Sequence, residues 1–200
     1  MVFLQKNTVY SPKISLDLKR KENKMKLYQA LKKSYNSLAY YIYRFTSKRV
    51  MVSLIDLFDT PTITKYHHIV SALRYVLVEN YYGENDFGRD LYNAAGNWKN
   101  DADLQANLVR FDTLIKSIEI NGYDTKSLIY VDIDGNCFNG THRLALCAWF
   151  EVKQIPAYLI KRHLKVPTVQ QMKLNYHLSD EGYAQLEAAY QRMYTRIHNK

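Results

Sequence analysis

The chain is short of the residues that mark several protein classes. Its 200 residues contain only two cysteines, Cys137 and Cys147, too few for a disulfide framework, so a reducing compartment is expected. Seven glycines and four prolines exclude a collagen-like or linker-dominated chain. No apolar run approaches the roughly 18 residues a membrane-spanning helix needs. The opening residues lack the apolar core and small-residue cleavage site of a secretory signal, and a cytoplasmic location is expected. A glycine-rich P-loop, a zinc motif and a Ser-His-Asp order are also missing.

What the chain has in excess is tyrosine, 18 residues, and positive charge, +9 in all. The charge is concentrated. Residues 1–50 carry twelve Lys and Arg against Asp17 and Glu22, while the remaining residues carry sixteen basic and seventeen acidic side chains. A basic arm therefore precedes a nearly neutral body and would attract polyanions: nucleic acid, an anionic membrane face or a charged glycan precursor.

Apolar periodicity predicts helices over Lys21–Phe45, Thr62–Tyr82, residues 87–97 and Leu104–Ile118, so the first 120 residues read as mainly α. Val50–Phe58 reads as a short apolar stretch closed by Asp59-Thr60-Pro61. In the first helix, Leu27, Leu31, Tyr35, Leu38, Ile42 and Phe45 form a stripe with lysines mostly off it. Such a helix either packs on its own domain or lies on an anionic membrane surface, a contact assigned to residues 21–49.

The texture then changes. Ser127–Ile133 is β-rich, Asp134-Gly135-Asn136 is a hairpin turn, and Cys137-Phe138 returns as a short strand. Asn139-Gly140-Thr141 opens a helix burying Leu144, Ala145, Ala148 and Trp149. Ile155–Ile160 is another strand, and Ser179 is the N-cap of a last helix reaching Ile197.

One stretch carries chemistry. A glycine just before a helix lets the first N–H groups converge on one point, and those groups with the helix dipole make an anion site. Thr141 adds a hydroxyl, and His142 and Arg143 add donors suited to phosphate oxygens. Asp132 and Asp134 alternate along a strand, which would place both on one face beside the phosphates, able to hold Mg²⁺; a solvated hairpin is the other reading.

In order and spacing, Ser117–Asp124, Ile129–Asp132, Asp134-Gly135, Asn139–Ala145 and Ile155-Pro156-Ala157 resemble the ParB N-terminal/sulfiredoxin-like superfamily, over about residues 105–165, some 30% of the chain. The resemblance implies an α+β chain: a mainly helical N-terminal region (1–104) packed on a small ParB/sulfiredoxin-like α/β domain (105–165), with a C-terminal helical extension (166–200). It also implies nucleotide phosphate binding by Gly140, Thr141, His142 and Arg143. Sulfiredoxins carry a catalytic cysteine where Thr141 stands, so sulfinic-acid repair is not expected. Chromosome-partition proteins follow the motif with a large helix-turn-helix region, which the 35 residues after Lys165 cannot hold. Small-molecule kinases of the fold, and similar proteins associated with bacterial surface-polysaccharide gene sets, fit the layout best. The expected activity is therefore an ATP- or other nucleotide-dependent, Mg²⁺-assisted phosphoryl transfer to a hydroxyl of a sugar, polyol or glycan, in surface-polysaccharide or lipopolysaccharide synthesis. The alternative is a nucleotide- or nucleic-acid-binding module without catalysis.

The chain departs from the family at Asn139, where the usual turn has Asp. Asparagine can ligand Mg²⁺ or bond a hydroxyl but cannot act as a base. The expected catalytic set is thus Asn139, His142 and an outside carboxylate, with Glu119 preferred over Asp132 and Asp134 nearby and over Glu79, Asp86 and Asp90 in the helical region. Phosphoryl transfer needs mainly positioning and charge neutralisation, so one missing base need not end activity. Elsewhere, adjacent His67 and His68 point about 100° apart on a helix and make a poor metal pair. Tyr81–Tyr92 mixes aromatics, carboxylates and Arg89, and reads either as a helix–helix loop or as a sugar-recognition segment.

Overall fold

The computed structural model describes residues 47–96 and 100–199. The predicted helix Lys21–Phe45 lies outside them, as does nearly all of the segment 21–49 assigned to a membrane surface.

Four strands form one mixed sheet in the order β1 (Lys48–Ser53), β4 (Gln154–Ile160), β2 (Ile129–Asp132), β3 (Cys137–Asn139). β1 runs antiparallel to β4, β4 parallel to β2, and β2 antiparallel to β3. β1 adds a strand to a first half read as mainly α, at the start of the apolar stretch Val50–Phe58. Val50 and Val52 pack toward the core while Met51 between them is 57% exposed, the alternation of a strand with one wet face. Its partner lies about a hundred residues away, with Lys48 opposite Leu159 and Ser53 opposite Gln154. β4 is an inner strand despite Pro156. Its pairing with β2 begins at Ala157, one residue later, so that ladder loses nothing to the missing N–H.

The helices that follow β1 are α1 (Leu54–Leu57), α2 (Tyr66–Tyr81), α3 (Gly88–Ala95) and α4 (Asp101–Asn121). After the hairpin come α5 (Thr141–Trp149), α6 (Val169–Asn175) and α7 (Asp180–His198). α2 is buried on nearly every face and packs against α3, α5 and α7, as an apolar helix must. It nevertheless contains Arg74 and Glu79, two charges whose partners matter below. α4 buries Leu104, Leu108, Phe111, Ile115 and Ile118, a single stripe at steps of four and three. Leu54, Ile69, Phe111, Leu144 and Met193 belong to one continuous core. The boundaries expected at 104 and 165 therefore do not separate two cores, and residues 47–200 form one unit. Among the described residues, no helix is long and apolar enough to cross a membrane.

The last helix begins as read: the Ser179 hydroxyl accepts the Gly182 N–H at 3.1 Å. Ser179→Ala should lower unfolding free energy by about 1 kcal/mol in urea titration, and an unchanged midpoint would mean that the cap contributes nothing. α6 was missed. Thr168 and Gln171 close a reciprocal capping box at its start, a signal present in the sequence as Thr-Val-Gln-Gln.

Candidate functional site at the N-terminus of α5

Gly140 is the hinge between β3 and α5. Its φ of +105° is a left-handed conformation that side chains rarely adopt. A Cβ there would sit 2.4 Å from Cγ2 of Ile129, so β2 and the start of α5 touch backbone to side chain with no room between them. A glycine N-cap supplies no side-chain acceptor, which leaves the first-turn N–H groups of α5 for an outside acceptor.

Three cationic or donor side chains gather at this helix end. Arg143 donates from Nη1 to the Leu128 carbonyl at 3.0 Å, which fixes the guanidinium at the residue that leads into β2. His142 packs edge-to-face on Phe111 of α4, ring centres 5.1 Å apart. Burial first, and then the positive charges of Arg74 and Arg143, lower its pKa to about 3, so the ring is neutral at neutral pH and offers one donor and one acceptor. Arg74 is the residue that sequence reasoning missed. It projects from α2, donates from Nη1 to the Val70 carbonyl at 3.1 Å, and lies 5.5 Å from the centre of the Tyr92 ring. Its Nε is buried without a hydrogen-bond partner. Among the described residues no carboxylate pairs with Arg74 or Arg143. The signal was a lone cation in an otherwise apolar helix: a charge placed there must find a partner.

The carboxylates proposed from sequence are elsewhere. Asp132 is 1% exposed and its oxygens are filled. Oδ1 accepts the N–H groups of Asp134 and Asn136, and Oδ2 accepts from Asn136 Nδ2 and the Leu164 N–H, all within 2.9–3.3 Å. It braces the hairpin against the segment after β4. Strand β2 ends at Asp132, so the alternation does not carry to Asp134, which lies in the turn and pairs with His163 at 2.7 Å. That pairing raises the His163 pKa, first through the hydrogen bond and then through the charge.

Glu119 is exposed and lies beside the Tyr82 hydroxyl, whose pKa is pushed up to about 12 by burial and then by that carboxylate. Tyr82 stacks on Trp149, ring centres 5.0 Å apart, at the far end of α5. Eight residue steps of helix separate Trp149 from Thr141, about 12 Å at the usual rise. The same interval separates Phe111, beside His142, from Glu119 along α4. The structure thus brings Gly140, Thr141, His142, Arg143 and Asn139 together with Arg74, and leaves Glu119 at the opposite end. Cys137 is buried with its thiol pushed up to about 12 by desolvation, so it has no thiolate chemistry near neutral pH.

The segment after α2 is a helix–helix turn. Asn85 spans it by donating to the Val76 carbonyl at 3.1 Å and accepting the Gly88 N–H at 2.8 Å. No family model matches the chain, and no curated protein or solved structure matches it.

Proposed function

We propose that the chain binds a nucleoside polyphosphate at the N-terminus of α5 and transfers a phosphoryl group to a hydroxyl of a sugar or polyol. The observation that carries this reading is Arg74: a guanidinium inside an apolar helix, without a carboxylate, beside His142, Arg143 and the uncapped N–H groups of α5. Two guanidiniums and a helix N-terminus form a donor set for phosphate oxygens. In the transfer, the acceptor oxygen forms the new P–O bond, the bond to the leaving nucleoside diphosphate breaks, and the hydroxyl proton departs. The neutral His142 ring offers a nitrogen lone pair to receive it, and bound phosphates would raise its basicity. Asn139 would orient the acceptor through its amide.

The donor set does not fit a protein-held Mg²⁺. The cluster presents N–H groups and cations, Asp132 is saturated by donors and Asp134 pairs with His163.

The same missing carboxylate favours a second reading, nucleotide binding without transfer. Thermal melting with ATP, CTP and GTP, each with and without Mg²⁺, separates the outcomes. A nucleotide at a hundred times its dissociation constant should stabilise the fold by about 2.7 kcal/mol. Arg74→Met should weaken binding about tenfold or more, since it removes a charge-assisted contact to phosphate. Absence of any shift would overturn the site itself. A shift without phosphorylated product from any sugar or polyol, followed by phosphorus NMR, would leave the binding module as the correct reading.

A further inference from the structure

A cavity lies at the other end of α5, bounded by the C-terminal half of α2, the turn after it and the last turns of α7. Its volume is about 540 Å³, within the range of small-molecule sites. Tyr75 and Glu79, one turn apart on α2, form its floor, and each is only 2% exposed. Glu79 is the second charge in that apolar helix. It is met by Arg192 of α7, which donates from Nε at 2.6 Å and from Nη2 at 2.8 Å. Arg196, one turn further along α7, lies 4.3 Å from the centre of the Trp149 ring and 4.0 Å from Glu151. Glu151 itself has φ +58°, a left-handed conformation uncommon outside glycine, at the cavity wall. Glu84 also lines the cavity, with Gln191, Thr195 and Asn199, and has no ion pair among the described residues.

We propose that this cavity is a binding site for a neutral polyhydroxylated ligand, a sugar or sugar-like polyol. Four of its five charges are already neutralised in pairs, Glu79 with Arg192 and Glu151 with Arg196, and Glu84 alone is left over. An anion would have to displace a carboxylate from its arginine and would meet Glu84 as well, a cation would find only the one carboxylate, and a neutral ligand leaves both pairs in place. Donors and acceptors nevertheless remain side by side. Arg192 uses two of its three nitrogens on Glu79 and keeps Nη1, while the Glu84 carboxylate supplies acceptor lone pairs. A hydroxyl both donates and accepts, so adjacent hydroxyls on a ring match that alternation better than a carboxylate, phosphate or amine does. The bidentate Glu79–Arg192 pair holds the donor in a fixed direction, which limits the entropy lost when a weakly binding sugar docks. This inference rests on the cavity alone and is independent of the nucleotide site about 12 Å away along α5.

The test is saturation-transfer NMR on the full chain with a panel of hexoses, N-acetylhexosamines and glycerol at millimolar concentration, beside methylammonium, acetate and methyl phosphate. At least one sugar should receive saturation, and the three charged probes should not. Glu84→Gln and Arg196→Gln should each weaken sugar binding about tenfold, with Glu84→Gln leaving the melting temperature unchanged. Any nucleotide-induced shift should persist in both variants, so failure here is distinguishable from failure of the phosphate site. Lack of transfer to every sugar, transfer undiminished in both variants, or preferential binding of a charged probe would each overturn the proposal.

Discussion

Gly140→Ala should destabilise the fold by about 2–5 kcal/mol, adding the expense of a left-handed non-glycine residue to that of overpacking. The two contributions have separate origins. The backbone at φ +105° is outside the range an alanine adopts without strain. The new Cβ would also meet Ile129 at 2.4 Å from Cγ2 and 2.9 Å from Cβ. Ile129 is fully buried at the start of β2 and held by the ladder to β4, so it cannot retreat. The start of α5 would have to lift off the sheet, carrying the first-turn N–H groups, His142 and Arg143 with it. Urea denaturation should show the loss, and nucleotide binding should fall with it. The double variant with Ile129→Ala should be less destabilised than the sum of the singles. Truncation removes the nearest clashing atom, and residues in contact do not act additively. A loss below about 1 kcal/mol for Gly140→Ala would show that α5 can move without penalty, and that the close approach does not fix the site.

The features that were readable in sequence are those whose cause is local. Gly140 before a helix, Asp134-Gly135-Asn136 as a turn and Ser179 as an N-cap each act within a few residues, and each stands where expected. The Thr168 capping box was equally local and was overlooked. Long-range partners were not readable. Lys48–Ser53 alternates over too few residues to announce a strand, and its identity comes from β4 across the chain. Glu119 is twenty residues from Asn139 in sequence, but α4 runs alongside α5 and carries it to the wrong end. Phe111 is the residue of α4 that reaches His142. Asp132 and Asp134 fail as a pair because the strand stops at the first of them. Arg74 and Glu79 were visible as charges in an apolar helix; which side chain answers each is a property of the packing. Arg192 answers one, and no carboxylate answers the other.

Stability should fall steeply as pH is lowered from about 6.5 toward 5, because three histidines, His67, His68 and His142, are held neutral inside the fold. His67 and His68 both place Nε2 on the Leu57 carbonyl, at 2.8 and 3.0 Å. A carbonyl only accepts, so the network assigns the proton to Nε2 in both rings. His67 Nδ1 then accepts the Cys137 N–H at 3.3 Å. Protonating that nitrogen would set a donor against a donor in a fully buried position. Burial is the main cause that lowers the His67 pKa to about 3, and it does the same for His142; His68 is lowered too, again chiefly by burial. Below the unfolded value near 6.5 the unfolded chain binds more protons than the native one, so stability rises with pH through this window and is fully present above it. A histidine at about 3 in the fold and about 6.5 unfolded withdraws about 2 kcal/mol at pH 5, or about 4 kcal/mol for His67 and His142 together. That is a large share of the roughly 5–15 kcal/mol that holds a typical domain folded. Urea midpoints at about pH 7, 6 and 5 should fall in step, and His67→Gln should remove close to half of the dependence while lowering stability at pH 7. A saturating nucleotide should flatten the remainder, since phosphates beside His142 favour its protonated form. A flat profile between pH 7 and 5 would mean that these rings reach water, and would count against both the buried network and the neutral His142.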